Sequence, residues 1–292
     1  GMGFGADNAL KKMQESDPEI IAFLEAYSEG VNSYINTLNP KSYPVEYKLV
    51  GYKPEPWSVK KTAYLLMYMT DMLCGGDEDL EYTNILKKFG KDRFDLLFPD
   101  FFDIIDPIIP KETDWSFIDT PKTETPQSEL PQDSIAEVMV KPNPRNGSNN
   151  WAISGDKSYS GKPILANDPH LGLNLPSIWF VMQLATPEHN SYGATLPGAL
   201  GVISGFNTHI AWGETNAGHD VTDLFLIQYA NKQLSGYLVD GVEKPITSSI
   251  KEIKVKNQPA IFDTIKYTEY GPIIKSSKDG KNDVALRWLP SR

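Results

Sequence analysis

A chain of 292 residues, 40% hydrophobic and 23% charged, has the make-up of an ordinary globular protein with ample length for a core. Its formal net charge of −10, with no long basic block, argues against a nucleic-acid surface. The single Cys74 excludes an internal disulfide and a cysteine-rich metal cluster, and no apolar run reaches the roughly 18 residues of a membrane span. Gly1-Met2 has neither the basic nor the apolar part of a signal peptide and reads as the remnant of an added tag.

From about residue 6 to residue 105 the pattern is helical. Asp17-Pro18-Glu19 is a helix start, with Asp17 as cap and Pro18 in the first turn. Ile20, Leu24, Tyr27, Val31, Tyr34, Ile35 and Leu38 then recur at three- and four-residue steps, which predicts one buried stripe ended by Pro40 and Pro44. Ser58 can cap the next helix. Its Leu65, Leu66, Met67, Met69, Met72 and Leu73 make it apolar on most sides, as internal helices are, with the methionines read as core filler. Gly75-Gly76-Asp77-Glu78-Asp79-Leu80-Glu81 opens a further helix running to about Lys88, where carboxylates favour the N-terminus. Short apolar pieces follow at Phe94–Phe98 and Phe101–Ile105.

Between Pro110 and Gly147 the composition shifts to Pro, Thr, Ser, Glu and Gln, too long a stretch for an ordinary connection and therefore a linker or processed spacer. Beyond it nearly everything reads as strand. Ile178–Leu184 is a continuous apolar run suited to a sheet buried on both faces. Ser191–Ile203 is rich in glycine and small residues, and Leu224–Tyr229, Lys251–Lys256 and Asp283–Trp288 are further strands. Asp240-Gly241 and Asp279-Gly280 mark hairpin turns. Helices first and antiparallel strands second give an α+β class, with a helical part at 1–109, a spacer at 110–147 and a strand-rich part at 148–292.

The spacer ends on Asn146-Gly147-Ser148-Asn149-Asn150-Trp151, a loop running into a strand. Ser148 has three readings: a turn hydroxyl, part of a glycosylation acceptor, or a nucleophile created by cutting the Gly147–Ser148 bond. In the third, the serine hydroxyl sits beside a free α-amine whose reference pKa is about 7.7–8.0. One residue then supplies both nucleophile and base near neutral pH. A conventional serine hydrolase would need GxSxG, which the chain lacks, since Ser204-Gly205 follows Val202-Ile203.

Gly147-Ser148-Asn149-Asn150-Trp151, Leu165-Ala166-Asn167-Asp168-Pro169-His170-Leu171, and Trp212-Gly213-Glu214-Thr215-Asn216 through Asp220-Val221-Thr222-Asp223 together resemble the penicillin acylase (penicillin amidase) family. Tyr27–Asn32 and Pro54–Ser58 extend the resemblance over nearly the whole chain, as a piece of a longer precursor. It implies a self-processing amidase of the N-terminal-nucleophile hydrolase superfamily, with that superfamily's sandwich of helices and sheets. Such a zymogen cuts itself before Ser148 and then hydrolyses an acyl amide of penicillin, cephalosporin or acyl-homoserine-lactone type through an acyl-serine. The 1–109 part would belong to the small subunit and 148–292 to the catalytic one, in the periplasm or secreted. The rival is a non-catalytic, uncut member acting as a binding or structural module.

The resemblance also assigns roles. His170, by itself a residue that can satisfy a turn, becomes a helper that holds the serine or its amine. A backbone N–H at Asn216, or at Ala217 if the loop is shifted by one, becomes an oxyanion donor; the second donor, an asparagine, would lie downstream of Arg292, so the 292-residue chain alone is expected to be inactive. Asp220 and Asp223, with the Thr222 carbonyl, fall on structural calcium ligands, to which Glu81, or nearby Glu78, would be added; the bland reading is two acids in a loop. Leu171, Trp179, Ser204-Gly205-Phe206 and Met67–Met72 would line the acyl pocket. His189, His209 and His219 have no zinc spacing.

Overall fold

The computed structural model describes residues 2–73, 78–99, 109, 112–117, 147–275 and 283–291. Residues 110, 111 and 118–146 of the spacer, the Phe101–Ile105 piece, Cys74 and the Asp279-Gly280 turn lie outside the described residues. The order is α1 (Met2–Ser16), α2 (Pro18–Ile35), α3 (Val45–Val50), α4 (Val59–Leu73), α5 (Asp79–Phe89) and α6 (Lys91–Leu97), followed by strands β1 to β13. Every described strand pair is antiparallel. The fold is α+β.

The chain packs as two compact units, one of Gly1–Gly76, Val140–Thr222 and Arg287–Arg292, the other of Asp77–Met139 and Asp223–Leu286. Each unit therefore mixes helices with strands. In the first, α1 packs on α2 and α4. Helix α2 begins at Pro18 as expected, but Asp17 makes no side-chain cap bond; its N–H instead continues the α1 ladder to the Met13 carbonyl at 2.8 Å. Of the expected stripe Leu24 is buried, Tyr27, Val31, Ile35 and Leu38 are half-buried, and Ile20 and Tyr34 are exposed, so the stripe is only partly covered. Helix α4 buries Thr62, Ala63, Met67 and Met69 but exposes Tyr68, so it is internal along one side only.

The polar residues of the upstream blocks act as ties. Asn32 exchanges two bonds with Trp57, donating from Nδ2 to the carbonyl (2.9 Å) and accepting from the N–H (2.7 Å). The Trp57 indole N–H donates to Thr62 Oγ1 at 3.0 Å. Tyr27 takes the Gly198 N–H on its hydroxyl at 2.8 Å. A core of Met69, Leu196 and Ala199 gathers Leu65, Leu66, Met72, Ile178, Trp179 and Ile203 around it, which bears out the methionines as filler.

Two sheets belong to the first unit. The hairpin β1 (Gly147–Ile153) and β2 (Ile164–His170) stands as a two-stranded ribbon, and β3 (Phe180–Ala185), β4 (Asn190–Thr195), β5 (Ser204–Asn207) and β6 (Ala211–Trp212) pair in that order. Strand β3 departs from expectation: Phe180 and Val181, on opposite faces, are 57% and 56% exposed, while Ile178 and Trp179 just before it pack against the Met69 core. It is an edge strand, hydrogen-bonded to β4 among the described residues, and only Met182 along it is half-buried.

The second unit is built on a sheet of order β10-β11-β12-β13-β7, from β7 (Thr222–Leu226), β10 (Thr247–Ile253), β11 (Ile261–Thr268), β12 (Gly271–Lys275) and β13 (Val284–Trp288). A separate hairpin joins β8 (Gly236–Val239) to β9 (Val242–Pro245) through Asp240 and Gly241, at φ 50° and 78°. Two successive left-handed residues make the turn type that Asp-Gly predicts. Val284 packs with Leu80 and Leu224, while its neighbour Ala285 packs with Ile227 and Tyr237. Asp283, fully buried, accepts the Tyr229 hydroxyl at 2.7 Å.

Candidate active site

The site is built on the β1–β2 ribbon of the first unit. Its register sets Gly147 opposite His170, Ser148 opposite Pro169, Asn149 opposite Asp168 and Asn150 opposite Asn167. Ser148 is half-buried at the head of β1, and its hydroxyl donates to the Gly147 carbonyl at 2.6 Å. The side chain is thus turned back on the bond that processing would cut.

Side chains two apart on a strand share a face, and His170 and Asp168 meet in this way, Nε2 to Oδ2 at 2.8 Å. The opposite ring nitrogen, Nδ1, faces the main chain of Gly147, where a built Cβ would lie 3.7 Å from it. The imidazole therefore stands between a carboxylate and the backbone of the candidate scissile bond. Asp168, which sequence reasoning gave no role, orients it; the only advance signal was its place inside the Asn167-Asp168-Pro169-His170 block.

The segment 213–216 is laced along the same ribbon. Asn150 Nδ2 donates to the Gly213 carbonyl at 2.7 Å, Asn167 Nδ2 to the Glu214 carbonyl at 2.8 Å, and Thr215 Oγ1 to the Ser148 carbonyl at 3.4 Å. Partial burial raises the Glu214 carboxyl above its ordinary pKa. Beyond it, Asn216 is fixed by its side chain, donating to the Leu73 carbonyl at 2.5 Å and accepting the Gly218 N–H at 2.7 Å. Among the described residues the backbone N–H groups of Asn216 and Ala217 have no protein acceptor. A loop whose side chains are tied and whose N–H groups remain outside the ladder can offer donors to a developing oxyanion.

Of the proposed acyl-pocket residues, Trp179 and Met69 share one cluster, and Leu171 is half-buried. Phe206 is 52% exposed and meets Tyr192 ring to ring at 5.5 Å. Ser204 turns its hydroxyl to Asn167 Oδ1 at 2.8 Å. His189, His209 and His219 are exposed.

Asp220 Oδ1 accepts the Thr222 N–H at 3.2 Å, Thr222 is buried, Asp223 is exposed, and Glu81 lies in the first turn of α5. Among the described residues no group of three or more His, Cys, Asp or Glu is arranged to hold a metal ion.

Comparison with known proteins follows the same lines. The penicillin amidase family model matches residues 1–292. An acyl-homoserine lactone acylase QuiP of Pseudomonas aeruginosa is 29% identical over 285 residues, covering 95% of this chain and 33% of that protein. The penicillin acylase 2 proenzyme of Pseudomonas sp. strain SE83 is 28% identical over 266 residues, covering 86% of this chain and 32% of that protein. A solved structure, the thermostable penicillin G acylase from Alcaligenes faecalis, aligns with a TM-score of 0.44 at 23% identity, over 48% of this chain and 25% of its own. The chain spans about a third of the length of the curated relatives it matches.

Proposed function

Since the chain belongs to the penicillin amidase family, we propose that it carries the nucleophile-bearing part of an acyl amide hydrolase that activates itself by cutting before Ser148. The observation that supports this most is the Ser148 hydroxyl turned to the Gly147 carbonyl at 2.6 Å, on a ribbon to which the Asn216–Ala217 loop is tied.

In processing, Ser148 Oγ attacks the Gly147 carbonyl carbon and the C–N bond breaks. The Gly147 acyl group passes to the oxygen as an ester, and the α-amine of Ser148 is freed. Water hydrolyses that ester, leaving a carboxylate on Gly147 and Ser148 as a chain terminus. In turnover the amine takes the hydroxyl proton as Oγ attacks the substrate carbonyl, and the oxyanion accepts the backbone N–H of Asn216 or Ala217. The amine returns the proton to the leaving nitrogen, and water then releases the acid from the acyl-serine. His170, held by Asp168, steadies the serine end.

Substrates are acyl amides of the kind named for the relatives, an acyl-homoserine lactone or a penicillin, with a cephalosporin added by the family resemblance alone. Turnover is proposed for a protein of the relatives' length, with the parts before and after the cut staying together as small and large subunits in the periplasm or outside the cell. A structural calcium on Asp220, Asp223, the Thr222 carbonyl and Glu81 rests on the family resemblance.

The test is intact mass and N-terminal sequencing of the protein at its full natural length, beside Ser148→Ala. Cutting before Ser148, lost in the variant together with hydrolysis of a panel of phenylacetyl, glutaryl and long-chain acyl amides, is the expected result. A native protein that stays uncut supports a binding module instead. A variant still cut at position 148 shows that another protease makes the break.

A further inference from the structure

Asn167 is the half-buried residue on which three separate pieces of the first unit converge. It lies in β2, opposite Asn150 of the nucleophile strand. Its Nδ2 donates to the Glu214 carbonyl at 2.8 Å and lies 3.4 Å from the Asn149 carbonyl. Its Oδ1 accepts the Ser204 hydroxyl of β5 at 2.8 Å. The amide is thus used at both ends: one hydrogen of Nδ2 toward each of two carbonyls, the oxygen toward a hydroxyl. No other side chain of that size offers two donors and an acceptor in one plane.

The packing is as close as the bonding. A Cβ built on Gly213 would lie 2.5 Å from Asn167 Cγ and 2.8 Å from Oδ1. Glycine at 213 therefore lets the loop main chain lie directly on the amide. The contact comes one residue before the Glu214 bond and three before Asn216.

We propose that Asn167 is a positioning residue that sets the separation between Ser148 and the backbone donors at Asn216–Ala217, resting on the reading of Ser148 as nucleophile. The amide bridges Asn149, next to Ser148, and Glu214, two residues before Asn216. A rigid planar group fixes that span where a water or a flexible chain would let it vary. Oxyanion donors act only when they stand at hydrogen-bond distance from the oxygen as it becomes charged, so drift in this span is felt in the transition state more than in substrate binding.

The test uses the mature full-length protein. Asn167→Asp keeps the shape but turns an oxygen toward the Glu214 and Asn149 carbonyls. The expected result is a fall in kcat of at least about thirtyfold, with KM within about threefold, on an acyl amide substrate. Gly213→Ala supplies the independent arm. If its new methyl acts by displacing Asn167, the double variant with Asn167→Ala is no slower than Asn167→Ala alone.

Wild-type kcat in Asn167→Asp, a loss confined to KM, or fully additive losses in the double variant would overturn the proposal. So would unfolding of both Asn167→Asp and Gly213→Ala by circular dichroism, which would make the contact structural only. The parent Ser148→Ala protein separates the two readings: if it still hydrolyses the substrate, the nucleophile assignment fails. If it is dead while Asn167→Asp is normal, only the positioning role fails.

Discussion

Strands β3 and β13 are both apolar and of similar length, yet the structure treats them in opposite ways. In β13 Val284 and Ala285 are 1% and 0% exposed, and these successive residues pack on opposite faces, one against Leu80 and Leu224, the other against Ile227 and Tyr237. In β3 Phe180, Val181 and Leu184 remain exposed, and the strand ends its sheet. The difference is position within a sheet. β13 runs between β12 and β7 with helix α5 supplying Leu80, whereas β3 has one strand neighbour among the described residues. Apolar content makes a strand able to be buried; the neighbours decide whether it is.

The comparison predicts unequal responses to equal changes. Val284→Ala opens a cavity between sheet and helix and should cost about 2 kcal/mol, read as a lowered thermal or urea midpoint. Tyr229→Phe should cost somewhat less, about 1–2 kcal/mol, since the buried Asp283 keeps its other interactions. This site also has a pH signature. Burial and the Asp283 carboxylate raise the Tyr229 phenol above its ordinary 10.0. An acid whose folded pKa is raised gives stability that is whole below the unfolded pKa and falls as pH rises past it. The wild-type protein should therefore lose stability above about pH 10 more steeply than Tyr229→Phe. An identical alkaline slope in the two proteins would show that Tyr229 does not set it. At the small end, Val181→Thr in β3 of the 292-residue chain should change stability by under about 0.5 kcal/mol. A loss comparable to that of Val284→Ala would mean that the exposed face is covered in solution.

Legibility followed the range of the forces involved. The Asp240-Gly241 turn and the start of α2 at Pro18 depend on neighbouring residues, and both were readable from them. The fate of β3 was not, because a continuous apolar run has the same appearance at an edge and at a centre. The candidate site divides in the same way. Gly147-Ser148 and His170 were found through contiguous blocks, and register sets them on facing strands. Asn167, Asn150 and Thr215, whose side chains tie the ribbon to the loop at 213–216, read as ordinary polar residues until partners more than forty residues away came beside them. Ser204, expected in the pocket wall, directs its hydroxyl to Asn167, a tie that local sequence does not show.

The intact Gly147–Ser148 bond lies within β1, joining its first two residues. On the proposed reading this has a consequence for what cutting leaves behind. From Ser148 onward the strand stays zipped to β2, so the newborn terminus cannot wander: the ladder grips it from its first residue. Gly147 alone loses its anchor, and it is the residue that occupied the place opposite His170. Its departure would empty a berth one residue long beside the serine, already walled by the imidazole. The precursor's own carbonyl would then have served as a template, holding open the place that the first incoming acyl group takes.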